Sequence, residues 1–112
     1  MIDNQKILFK FIQINDNVNW TDISYNYNLS LNFIREFKNK VDWYCISIIQ
    51  KLSENFIREF QDKIDWEYIS EYQKLSENFI REFQDKVNWY NIIIYQELSL
   101  NFKKEFKHKI KW

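Results

Sequence analysis

Tryptophan recurs at a fixed interval: Trp20, Trp43, Trp66, Trp89 and Trp112 are each 23 residues apart. Counting from each Trp, Ile stands at plus three (Ile23, Ile46, Ile69, Ile92), Leu at plus nine (Leu29, Leu52, Leu75, Leu98) and Ser at plus ten (Ser30, Ser53, Ser76, Ser99). Phe recurs twice, as Phe33, Phe56, Phe79, Phe102 and as Phe37, Phe60, Phe83, Phe106. A shared period over most of a 112-residue chain marks a tandem-repeat architecture, in which units stack and each covers its neighbour's apolar face. So short a chain holds one domain. Its expected parts are an N-terminal half repeat at 1–19, tandem repeats at 20–42, 43–65, 66–88 and 89–111, and a terminal Trp112.

Each period reads as two short helices. Ser53 is placed to cap the second, with Leu52 before the cap and Ile57 four residues into the helix, the spacing of a hydrophobic staple. Phe56, Ile57, Phe60 and Ile64 then share one face. Asp65 caps the next first helix, with Ile64 before it and Ile69 at the staple position, so a tight corner forms without glycine. With a lone helix from about Asn4 to Asp16, the fold class is all-α, an αα solenoid of four 23-residue helix pairs preceded by one N-terminal helix. The last repeat has Lys103 where the others have Ile, and Lys111 where they have the Asp or Asn cap, which reads as a polar terminal cap on a complete array.

Composition excludes several classes. The chain has no Gly or Pro, so glycine-dependent phosphate loops and dinucleotide-binding turns are absent. Sixteen basic and sixteen acidic side chains balance, leaving no bulk charge to draw duplex DNA or an anionic membrane. No apolar run approaches the roughly 20 residues of a membrane-spanning helix, and no basic start and apolar stretch marks a signal peptide. The lone Cys45 cannot form an internal disulfide and points to a reducing, cytoplasmic compartment. Abundant Ile, Asn, Lys, Phe and Tyr suit an AT-rich genome.

Catalysis has no visible candidate. His108 is the one histidine and sits in a lysine-rich segment, so no histidine pair for a metal and no histidine-based triad is apparent. Neither cofactor nor catalytic residue is expected. The second helices carry Arg35-Glu36, Arg58-Glu59, Arg81-Glu82 and Lys104-Glu105. Glu36 with Lys40, Glu59 with Lys63, Glu82 with Lys86 and Glu105 with Lys109 have the i, i+4 spacing of a self-neutralised, solvated face; the alternative is an arginine ladder for phosphates. Asn32, Asn55, Asn78 and Asn101 either bond a neighbouring loop or are simply solvated.

The repeats differ on the first helix. The stripe at plus one, five and eight reads Thr21, Tyr25, Asn28; Tyr44, Ile48, Lys51; Glu67, Glu71, Lys74; Tyr90, Ile94, Glu97. Plus two and six add Asp22, Asn26, Cys45, Ile49, Tyr68, Tyr72, Asn91 and Tyr95. Variable residues on a constant scaffold, rich in Tyr and Ile, have the character of a recognition surface. The alternative is that they complete packing between adjacent first helices.

The unit Trp-x-x-Ile-Ser-x-x-Gln-x-Leu-Ser-Glu-x-Phe-Ile-x-x-Phe-x-Asp-Lys-Val-Asp, clearest over 43–65 and 66–88, resembles tandem repeats in proteins of large DNA viruses and bacteriophages. Tyr27 and Asn28 depart from it in the first repeat, and Ile93 replaces its Ser in the last. The resemblance implies a small accessory protein, acting in the host cytoplasm, that binds and blocks a host factor, anti-CRISPR inhibitors of phages being one example.

The leading expectation is therefore a non-enzymatic protein-binding module using Tyr44, Ile48, Tyr68, Tyr72, Tyr90, Ile94 and Tyr95. The alternative is single-stranded nucleic-acid binding, with tyrosines stacking on bases and Lys103, Lys104 and Lys107 holding phosphates. A third is a homodimer through the N-terminal helix, where Phe9, Phe11, Ile12 and Ile14 have no preceding repeat to cover them.

Overall fold

The computed structural model describes residues 4–15 and 17–109 and is helical throughout. The described helices are α1 (Asn4–Ile14), α2 (Trp20–Asn26), α3 (Leu31–Glu36), α4 (Trp43–Ile49), α5 (Glu54–Glu59), α6 (Trp66–Tyr72), α7 (Glu77–Glu82), α8 (Trp89–Tyr95) and α9 (Leu100–Glu105). Helices of six or seven residues are too short to persist alone, so packing between units must hold them. The first helices α2, α4, α6 and α8 stack on one another in sequence order, in a particle of 54 × 27 × 20 Å. That is the helical-repeat architecture the period predicts. None of the described helices is long and apolar enough to cross a membrane.

Side-chain capping sets every described N-terminal boundary in the repeats. Ser30, Ser53, Ser76 and Ser99 each accept a hydrogen bond from the amide three residues on, at 3.1–3.2 Å. Asn19, Asp42, Asp65 and Asn88 do the same for the first helices. The second helices stop earlier than the apolar pattern suggests. At Phe60 the backbone leaves helical geometry (φ −111°, ψ 27°), and Lys63 and Ile64 both donate to its carbonyl. Ile64 still reaches the core, from a turn rather than from a helix. No described residue has positive φ, so corners without glycine carry no backbone strain.

The core lies between the two rows. Ile46, Ile57, Ile69 and Ile80 are fully buried, and so are Phe56, Phe79 and Phe102. Trp43, Trp66 and Trp89 each lie against their own repeat's two Phe rings, as Trp66 does with Phe79 at 6.2 Å and Phe83 at 5.1 Å. The indole N–H of each of these three donates back to a turn carbonyl, Gln61 O in the case of Trp66 at 3.0 Å. The ring is thus held flat over the corner that precedes it.

Three polar devices join consecutive repeats. The Gln73 side chain accepts from Leu52 N (3.1 Å) and donates to Ser47 O (2.9 Å) and Gln50 O (2.7 Å); Gln50 and Gln96 act alike on their preceding repeats. The fully buried hydroxyls of Ser24, Ser47 and Ser70 accept from the amides of Asp42, Asp65 and Asn88, which cap the first helix of the repeat that follows. Glu54 and Glu77 bind both the amide and hydroxyl of Ser76 and Ser99. The Gln and Ser bonds satisfy loop groups that would otherwise be buried without partners, while the Glu bonds lie at the surface.

The charged ladder differs from the sequence expectation. Glu59, Glu82 and Glu105 do not pair with lysines four residues on, because their helices end at those glutamates and Lys63, Lys86 and Lys109 fall in the turns beyond. They instead take Arg35, Arg58 and Arg81 of the preceding repeat, each Arg Nε lying 2.9–3.0 Å from both carboxylate oxygens. Each guanidinium also lies 5.3 Å over Phe56, Phe79 or Phe102. Asn32, Asn55 and Asn78 accept from the arginine of their own helix rather than from a loop. Lys86 and Lys109 reach back to Asp62 and Asp85. The surface is self-neutralised, but between repeats. Lys111, the proposed terminal cap change, lies outside the described residues, as do Asp16 and Trp112.

Candidate partner-binding face

Helical geometry decides which first-helix residues reach solvent. Plus three and plus four turn inward as Ile and Ser, and plus one and plus six therefore face out, with plus five exposed only at Tyr25 and Ile94. Tyr44, Tyr72, Tyr90, Ile94 and Tyr95 are exposed, from 49% to 71%, and Tyr25 and Ile49 join them. Ile48 and Tyr68 are half-buried between neighbouring first helices. The Tyr68 ring meets Tyr44 edge-on at 4.7 Å across the joint and stacks on Tyr72 at 6.1 Å. The stripe thus holds an exposed aromatic row with a packed seam beneath it.

After the first repeat, whose Asp22 is exposed, plus two belongs to the seam. Cys45 is 5% exposed and Asn91 is buried with its amide donating to Glu67 O at 3.1 Å, so neither offers contact area. At the joint below, Thr21 donates to Asp42 Oδ2 at 3.0 Å. Burial, and then the Asp42 carboxylate, push the Cys45 thiol up, which disfavours the thiolate.

Electrostatics single out Glu71. It is half-buried on α6, and its carboxylate is the foremost cause that raises the phenols of both Tyr72 and Tyr95, through charge and hydrogen bonding. Tyr68 is raised to about 12, chiefly by its hydrogen bond with Tyr44. Beside Glu71 the ends of α6 and α8 form an open groove of about 510 Å³ lined by Tyr72, Tyr95, Lys74, Glu77 and Glu97. The repeat pattern placed Glu71 in the variable stripe but not among the expected binding residues. Its weight comes from lying beside a tyrosine of the next repeat, which no spacing within one unit reveals.

The other predicted residues sit elsewhere. Lys103 and Lys104 are on α9 and Lys107 is in the turn after it, all exposed, in the second-helix row rather than beside the tyrosines. His108 is exposed, its ring 6.1 Å from Phe106. On α1, Ile7, Phe11 and Ile14 are exposed, whereas Phe9 packs on Phe37 at 5.6 Å and Ile12 is half-buried, so that helix is partly covered by the first repeat. No group of three or more metal-ligating side chains occurs among the described residues. Set against family models, curated proteins and solved structures, the chain has no significant match in any of the three comparisons.

Proposed function

We propose that the chain is a non-enzymatic helical-repeat module that docks a protein partner on its first-helix face. The observation that carries the reading is the row of exposed Tyr44, Tyr72, Tyr90, Ile94 and Tyr95 on a scaffold whose joint residues repeat. Large aromatic and aliphatic side chains held on short, capped helices lose little freedom on binding, which suits them to be anchors. The resemblance to viral and phage repeats extends the reading: a small inhibitor or adaptor working on a host protein in the host cytoplasm.

The test compares the tagged parent with a Tyr44→Ala, Tyr90→Ala, Ile94→Ala variant in capture from nuclease-treated host lysate. All three side chains are exposed, so circular dichroism should match the parent. A discrete protein held by the parent and lost by the variant is the expected result. Equal capture by the variant, or capture that vanishes with nuclease, would overturn the reading.

A further inference from the structure

The chain shows what it uses to hold a guanidinium. Its three arginines, Arg35, Arg58 and Arg81, each lie over an aromatic ring with a glutamate gripping the Nε, and all three are committed in the second-helix row. The groove at the ends of α6 and α8 offers the same two elements: the rings of Tyr72 and Tyr95, each about half exposed, and the carboxylates of exposed Glu97 and of half-buried Glu71, the latter hydrogen-bonded to the two phenols. Glu77 also lines it but is held by the Ser99 amide and hydroxyl. Three acids against Lys74 alone make the groove anionic, so it repels phosphate and favours a cation.

We infer that this groove takes an arginine side chain of the partner, its guanidinium against a tyrosine ring and its N–H groups on Glu71 and Glu97, so that the docking segment is basic. The inference rests on the first-helix face being the binding face. Arginine suits better than lysine because its planar fork can stack on a ring and bond a carboxylate together.

The test uses the full chain and fluorescence anisotropy with a labelled peptide of alternating Arg and Ser, beside matched Lys and Glu peptides and oligothymidylate. The Arg peptide should bind tightest. Glu71→Gln should weaken it about fivefold or more. Glu36→Gln makes the same charge change in the second-helix row and should leave affinity within about twofold. Glu97→Gln, at an exposed position after α8, gives an independent reading if Glu71→Gln loses helicity. The inference falls if neither groove variant weakens binding, if Glu36→Gln weakens it equally, or if oligothymidylate binds tighter than the Arg peptide. Should the Arg peptide fail while the Tyr44, Tyr90, Ile94 variant still loses its captured protein, the face stands and arginine recognition falls. Should that variant keep its protein, the face itself is wrong.

Discussion

The joint between the second and third repeats and the joint between α1 and the first repeat solve one problem in two ways. In the interior, buried Gln73 reaches back with all three of its hydrogen bonds, and Glu54 reaches forward to the Ser76 amide and hydroxyl. At the N-terminal joint Tyr27 stands where the other repeats have Gln, and Gln5 of α1 acts as Glu54 does, accepting from Ser30 N at 3.1 Å, and also donates to Asn28 O at 2.8 Å, in an exposed setting. The loop groups demand partners whichever element supplies them. What differs is whether water can stand in when the partner is removed, and that decides how much each glutamine is worth.

Gln73→Leu breaks the interior joint most severely. It leaves one buried amide and two carbonyls unpaired at about 1 kcal/mol or more each, so a loss of about 3 kcal/mol or more is expected from the urea midpoint. Gln5→Ala should cost only about 0.5–1 kcal/mol by the same measurement, since solvent replaces the lost bonds. Equal losses in the two variants would end the distinction between a buried and a solvated joint.

The smallest effect sharpens the comparison on the face, where Tyr44 and Tyr68 span the interior joint. Tyr68 is raised from 10.0 to about 12, so the folded state favours its phenol form. This contribution to stability is therefore complete below pH 10 and is lost as pH rises through about 12. Phenolate absorbance should show the late titration, and Tyr44→Phe should bring Tyr68 back toward 10.0 with helicity kept at neutral pH. An unmoved titration would mean the two hydroxyls are not bonded.

The helix boundaries were legible wherever the cause is local. Ser53 and Asp65 cap because the amides they serve lie three residues away, and Ile57 staples because helical pitch brings it beneath Leu52. The charged pairs were not. Glu59 is as close in sequence to Lys63 as an ion pair requires, but its helix ends at that glutamate and the neighbouring repeat presents Arg35. The Gln at plus seven and Ser at plus four recurred in plain view, yet their partners lie 18 to 26 residues back or ahead, a separation that only stacking closes. On the face, the variable stripe stood out from the sequence, but Cys45 and Asn91 share its variability and are buried.

Sequence alone determined the period, the caps and the Trp, Phe and Ile core, because these depend on neighbours within one turn of helix or on a pattern that every unit shares. Tertiary structure decided which glutamate each arginine grips, which glutamines hold the joints together, and which tyrosines gather around Glu71. Those contacts are set by the rise and rotation from one repeat to the next, which the stacked first helices define and no single 23-residue unit contains.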